Sequence, residues 1–193
     1  MAAFSPPLYS CVMSDTFYAI FETALGDCAI LWRGDKAVGV LLPETDRARL
    51  KRSVSHRASD AREMAPPAFI ESLIASVAAL ARGDDAAFDM VLLDRSAIEP
   101  FANRVYDELL KIGFGETTTY GAIAQALGDK NLSRAVGAAL GANPFPIIIP
   151  CHRVTGAKGA MGGFSAPGGA ATKRKLLEIE GAFSADKLPL FSA

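Results

Sequence analysis

The stretch Asn143–Val154, NPFPIIIPCHRV, constrains the fold more than any other part of the chain. Pro144, Pro146 and Pro150 each fix φ and remove an N–H donor, so neither a helix interior nor a central strand runs through them. Pro146 and Pro150 bracket Ile147-Ile148-Ile149, which is too apolar to be left in water. The stretch therefore reads as a rigid, buried loop. It hands Cys151, His152 and Arg153 to a glycine-rich segment, Gly156–Gly169, whose permissive backbone suits a pocket wall.

A buried cysteine is usually an inert small hydrophobe, and Cys11 and Cys28 are read that way. Cys151 differs because the adjacent His152 and Arg153 favour its thiolate. An ordinary thiol with a pKa near 8.5 is about 3% ionised at neutral pH, so full deprotonation gains only about 30-fold in rate. The remainder must come from holding a substrate in line with the sulfur. A zinc site needs about four ligands at workable spacing. Cys11, Cys28, Cys151, His56 and His152 offer no paired spacing, so no metal is expected. A cysteine hydrolase needs a histidine base from elsewhere in the fold, and His56 sits in a charged, exposed-looking stretch.

Ahead of the loop the pattern divides in two. Phe17–Phe21, Cys28–Trp32 and Ala37–Leu42, with turns at Gly26-Asp27 and Arg33–Lys36, read as an antiparallel meander. Asp46–Arg57 is charged and reads as a short helix. After Pro66-Pro67, the residues Phe69, Leu73, Ile74, Val77 and Leu80 recur at helical spacing. Phe88–Leu93 reads as a last strand, and Asp94–Pro100 as a linker. Beyond it, Phe101, Val105, Leu109 and Ile112 mark a helix. Thr117–Thr119 offers caps for a helix Tyr120–Leu127, and Asn131 or Ser133 for a helix Arg134–Leu140. This pair is a helix-turn-helix candidate, a weak signal alone. Gly137 inside the second helix costs about 1 kcal/mol relative to Ala. It fits close helix packing, or a backbone that lets a large partner approach. The fold class is accordingly α/β (α+β). A small antiparallel sheet with a helix occupies residues 1–96, and a mainly helical domain residues 97–193.

Charge bears on the partner. The net charge of -1 argues at first sight against nucleic acid. Residues 1–100 carry 10 Lys+Arg and 14 Asp+Glu, while residues 101–193 carry 10 and 7. The basic excess of the second half is too small for a grip made mainly through phosphates. It does not exclude a modest DNA binder. No window approaches the roughly 20 apolar residues of a membrane helix, so no membrane partner is expected. No Lys or Arg precedes Arg33, so a signal peptide's basic start is missing. Three scattered cysteines fit a reducing, cytoplasmic setting.

Pro150-Cys151-His152-Arg153-Val154 resembles the acceptor-cysteine motif of the O6-alkylguanine-DNA alkyltransferases, the methylated-DNA–protein-cysteine methyltransferases. Gly115–Gly121 resembles the start of that family's first helix-turn-helix helix, and Arg134–Gly137 its recognition helix. Asn143-Pro144 precedes the active-site loop as in the family. Lys173 and Leu176–Glu180 resemble its closing helix. The resemblance is strong over about residues 100–181 and only architectural before that.

The resemblance implies a winged-helix-like second domain and a single-turnover repair protein without a cofactor. Cys151 takes an alkyl group from O6 of guanine, or from O4 of thymine, in duplex DNA after the base is flipped out. His152 acts as base through a water, Glu180 orients it, and Asn143 ties the recognition helix to the loop. Arg134 replaces the flipped base, and Tyr120 rotates the phosphate 3′ to the target. Ala135, Gly137, Ala138 and Arg153 meet the DNA. Val154, Phe164 and Ser165 shape the base pocket. A monomer is expected. Phe164 stands where many members have Tyr, and Ala166-Pro167 is an insert, so the range of alkyl groups is where this chain departs from its family. Two other classes stay open at this stage: a DNA-damage binding module with an incidental Cys151, and a thiol redox sensor, which lacks a nearby resolving cysteine.

Overall fold

A computed structural model describes residues 15–183, so Cys11 and the Ser5-Pro6-Pro7 lead lie outside the described residues. The meander forms as expected: β1 (Phe17–Thr23), β2 (Gly26–Arg33) and β3 (Lys36–Leu41) pair antiparallel in sequence order. The central strand β2 is covered on both faces. Cys28, Ile30 and Trp32 point into the main core, while Ala29 and Leu31 point into a smaller cluster with Leu50 and Val54. That alternation follows from the two-residue period of a strand. The charged helix α1 (Arg47–Arg57) closes the smaller cluster, and Asp46 caps it by accepting from the Arg49 amide at 2.7 Å.

Two features of the first half depart from expectation. Residues Phe88–Leu93 do not form a strand: Met90–Leu92 is a single 3-10 turn, and only Leu93 bridges to Ala37. The Asp89 carboxylate accepts from the Val91 amide at 3.0 Å, a local bond that competes with strand pairing, and Val91 remains 74% exposed. The fourth strand is instead β4 (Arg62–Glu63), parallel to β1, giving the order β3-β2-β1-β4. Helix α2 (Ala68–Ala81) follows and buries Ile70, Leu73, Val77 and Leu80 against the main core.

The second half is mainly helical. Helix α3 (Pro100–Leu109) starts on its proline and buries Val105, Tyr106 and Leu109. A two-stranded ribbon pairs β5 (Thr118–Thr119) with β6 (Val154–Thr155) in parallel. Helix α4 (Tyr120–Ala126) is capped by Thr119, whose hydroxyl accepts from the Ala122 amide at 3.1 Å. A 3-10 turn, Lys130–Leu132, leads to α5 (Ser133–Gly141). The expected caps of α5 are not used: Ser133 donates back to the Lys130 carbonyl at 2.8 Å. Asp129 caps the preceding turn instead, accepting from the Asn131 amide at 2.8 Å. Helix α6 (Ala170–Ile179) closes the described chain. The main core is continuous from Trp32 and Leu73 through Val105 and Val136 to Phe145, Cys151 and Leu176, so sheet and helices share one interior.

Candidate active site at Cys151

The proline-rich segment is the buried loop its composition demands: Phe145, Ile147, Ile148, Ile149 and Pro150 are all buried. Asn143 fixes its shape from both sides. Its carbonyl oxygen accepts from the Phe145 amide at 2.9 Å, and its amide donates to the Ile149 carbonyl at 2.9 Å. The Ile149 amide closes onto the Phe145 carbonyl at 2.8 Å. This turn holds Ile147 at φ 74°, a left-handed conformation that costs a β-branched residue energy unless its surroundings enforce it. The loop is also joined to the sheet, because the Val40 amide of β3 donates to the Pro144 carbonyl at 2.9 Å. Cys151 then opens a 3-10 turn, Cys151–Arg153, with its amide on the Ile149 carbonyl at 2.8 Å.

Beneath Cys151 lies a buried polar cluster built on the inner face of α6. His152 is fully buried, and its Nε2 lies 2.8 Å from Glu180 Oε1. Arg153 grips the same carboxylate in a fork, Nε donating to Oε2 and Nη2 to Oε1, both at 2.9 Å. Its Nη1 donates to the Ile112 carbonyl at 2.6 Å. Burial pushes the Glu180 carboxyl up, but the donors His152 and Arg153 outweigh it and bring it down to about 2. Burial likewise keeps His152 below its ordinary value, despite Glu180. With an ionised Glu180 accepting at Nε2, the neutral imidazole carries its proton there and leaves a bare lone pair on Nδ1. That Nδ1 is buried and has no partner among the described residues. Lys173 is also fully buried: its Nζ donates to the Val154 carbonyl at 2.5 Å and lies 5.7 Å from the centre of the Tyr120 ring.

Cys151 itself is 6% exposed. Burial raises its thiol pKa, while the Asn143 side chain and the Lys173 charge pull it down. The expectation that the neighbouring His152 and Arg153 charges activate the thiol is therefore corrected. His152 is held neutral, the Arg153 charge is spent on Glu180, and the nearby cation is Lys173. Two cavities meet at Cys151. One, of about 520 Å³, opens between Tyr120, Ser133, Arg134, Gly137 and Gly163. The other, of about 250 Å³, runs from Cys151 past Pro146 and Ala166-Pro167 to Val40–Leu42 and Arg57. Leu140, Gly141, Phe164 and Ser165 line both.

The chain has relatives among known proteins. The DNA-binding domain of 6-O-methylguanine DNA methyltransferase matches residues 100–182. A methylated-DNA–protein-cysteine methyltransferase of Methanosarcina acetivorans is 35% identical over 165 residues, covering 86% of this chain and 98% of the relative. Its counterpart in Methanothermobacter thermautotrophicus is 33% identical over 155 residues, 80% of each chain. This chain belongs to the methylated-DNA–protein-cysteine methyltransferase family. Among solved structures, Mycobacterium tuberculosis OGT in complex with DNA superposes with a TM-score of 0.69 at 33% identity, over 86% of this chain and 93% of that one. Both the fold likeness and the 165-residue sequence match thus reach into the first half, beyond residues 100–181 where the motifs lie.

The remaining candidate residues of this family member fall into three groups. Asn143, Cys151, His152 and Glu180 are brought together around the loop. Tyr120, Arg134 and Gly137 line the larger cavity, with Arg134 and Ala138 exposed and Ala135 half-buried on α5. Two expectations are corrected. Arg153 is turned inward onto Glu180 and Ile112 rather than outward to DNA. Val154 is fully buried in the core beside β5, while Phe164 and Ser165 line the cavities. Reading the sequence for function misses the buried charge of Lys173. The signal was available: Lys173, Leu176, Leu177 and Glu180 share one helical face by spacing, and a lysine among buried leucines needs a partner.

Proposed function

We propose that this protein repairs O6-alkylguanine, and O4-alkylthymine, in duplex DNA by moving the alkyl group irreversibly onto Cys151. The observation that carries this is the unpartnered, buried Nδ1 of His152 held by Glu180 beneath a cavity-lining Cys151. His152 takes the thiol proton through one bridging water, a path the polar, enclosed site supports. The Cys151 sulfur then attacks the alkyl carbon. A carbon–sulfur bond forms as the carbon–O6 bond breaks, and the electron pair goes to guanine O6 while N1 takes up a proton, which restores the keto form of guanine. The thioether does not turn over, so each molecule acts once.

DNA is met by α4 and α5, acting as a helix-turn-helix with the β5–β6 ribbon as the wing. The small Ala135, Gly137 and Ala138 let α5 approach the minor groove, where readout is degenerate and sequence preference weak. Arg134 fills the gap left by the flipped base, and Tyr120 turns its phosphate. The base enters the larger cavity and the alkyl group faces the smaller one. One chain supplies every residue needed, so it acts as a monomer, in the reducing cytoplasm. Residues 1–96 and 97–193 are the proposed domains, the first buttressing the loop and the second carrying the chemistry. The test is peptide mass measurement after incubation with O6-methylguanine duplex. One added methyl on the Cys151 peptide is expected. An unmodified peptide, with tight lesion binding that Cys151→Ser leaves unchanged, would make the protein a damage sensor instead.

A further inference from the structure

The smaller cavity has an end that the transfer of a methyl group does not need. Its wall opposite the active-site loop comes from the first half of the chain, from Val40–Leu42 and Arg57. Arg57 is the last residue of α1, and its guanidinium lies over Gly39 of β3. A Cβ on Gly39 would come within 3.1 Å of Arg57 Nε and 3.5 Å of the Pro144 carbonyl, so the missing side chain leaves the guanidinium its course toward the loop. Arg57 has no hydrogen-bond or ion-pair partner among the described residues, whereas Arg47, Arg49 and Lys51 of the same helix pair with Asp27, Glu44 and Glu63. It also lines a second cavity of about 370 Å³, with Tyr106 and Pro144. Arg57 is exposed overall, yet its guanidinium, five donors in a planar fork, lines the space that Cys151 also lines and has no side-chain acceptor there among the described residues.

We propose that Arg57 makes this protein select lesions whose O6 substituent ends in a carboxylate, carboxymethyl being the simplest, over neutral ones. This rests on Cys151 being the acceptor. The cavity volume of about 250 Å³ far exceeds the roughly 30 Å³ of one water in liquid, so it has room beyond a methyl group. A carboxylate on the transferring carbon reaches toward the fork of Arg57, and a charge-assisted pair forms as the base seats. The transfer step is otherwise unchanged: the sulfur bonds the methylene carbon, the carbon–O6 bond breaks onto guanine, and the product is S-carboxymethyl-cysteine.

The experiment measures single-turnover rate constants on duplexes carrying O6-carboxymethylguanine or O6-methylguanine. It uses the full chain and its Arg57→Met and Arg57→Lys variants, with thermal midpoints as a folding check. The ratio of carboxymethyl to methyl rate constants is expected to fall about fivefold in Arg57→Met and to recover at least in part in Arg57→Lys. A ratio unchanged in Arg57→Met overturns the proposal. Equal loss on both lesions also overturns it. If binding of undamaged duplex falls too, Arg57 serves a backbone phosphate. If it does not, Arg57 only supports the loop. Failure of the wild type to label Cys151 with either group overturns the acceptor assignment itself, and is thereby distinct.

Discussion

Cys28 and Cys151 are both free and almost fully buried, in opposite halves of one continuous core, yet only Cys151 has a histidine and a buried lysine beside it. Cys28 sits in β2 with the Thr23 hydroxyl 3.7 Å from its sulfur, and burial pushes its thiol up to about 12. Burial raises Cys151 as well, but there Asn143 and Lys173 oppose it, and a neutral histidine with a free lone pair stands next in the chain. Desolvation is common to both sites. What separates them is a set of buried polar groups beside Cys151, among which the His152 Nδ1 alone is a buried side-chain nitrogen or oxygen without any partner among the described residues. The environment of Cys151 differs through the Asn143 side chain, the buried Lys173 charge and the histidine beside it, not through exposure.

The comparison breaks most sharply by exchange at the sulfur. Cys151→Ser is expected to abolish alkyl transfer in the mass assay. Cys28→Ser is expected to retain transfer and lose about 1–2 kcal/mol of stability in urea unfolding, from a poorly satisfied buried hydroxyl. Transfer lost in both variants would mean that the two sites are not independent. Next in size, Glu180→Gln leaves Arg153 buried opposite a neutral group and is expected to cost about 3–5 kcal/mol, because breaking a buried pair strands its partner. The same variant removes the orienting charge on His152, so at a temperature where it stays folded its transfer rate should fall.

Acid sharpens the contrast. Both His152 and Glu180 titrate lower in the folded chain than in the unfolded one. The unfolded state therefore binds more protons, and their contribution to stability is lost as pH falls. Loss begins below about pH 6.5 for His152 and continues from about pH 4 towards pH 2 for Glu180. Thermal midpoints across this range should fall steadily, and Glu180→Gln should flatten the lower limb. An unchanged lower limb would remove Glu180 from the account. The smallest expected effect is Asn143→Ala, about 1–2 kcal/mol for two lost loop bonds partly replaced by water, read by denaturant midpoint.

Most of the site is legible in the sequence because it is local. Proline spacing forces the loop, and Cys151-His152 lies within it. The Thr119 cap and the β1–β3 meander are equally local. What escapes reading depends on direction. Nothing in the sequence states that Arg153 turns inward while Arg134, on a helix face, turns outward; that follows from where Glu180 arrives 27 residues later. The strand expected at Phe88–Leu93 fails because one aspartate satisfies its own backbone. The part played by Val40–Leu42 and Arg57 is invisible for another reason. It exists only once β3 is bonded to Pro144.

The inward placement of Lys173 and Arg153 has a consequence for ionic strength. Both count toward the 10 basic residues of 101–193, but neither is at the surface to displace cations from a phosphate. A logarithmic plot of DNA affinity against salt gains about 0.9 in slope for every phosphate neutralised. Its gradient should therefore report the outward residues alone. Neutralising Lys173 should leave that gradient untouched even where it unsettles the fold.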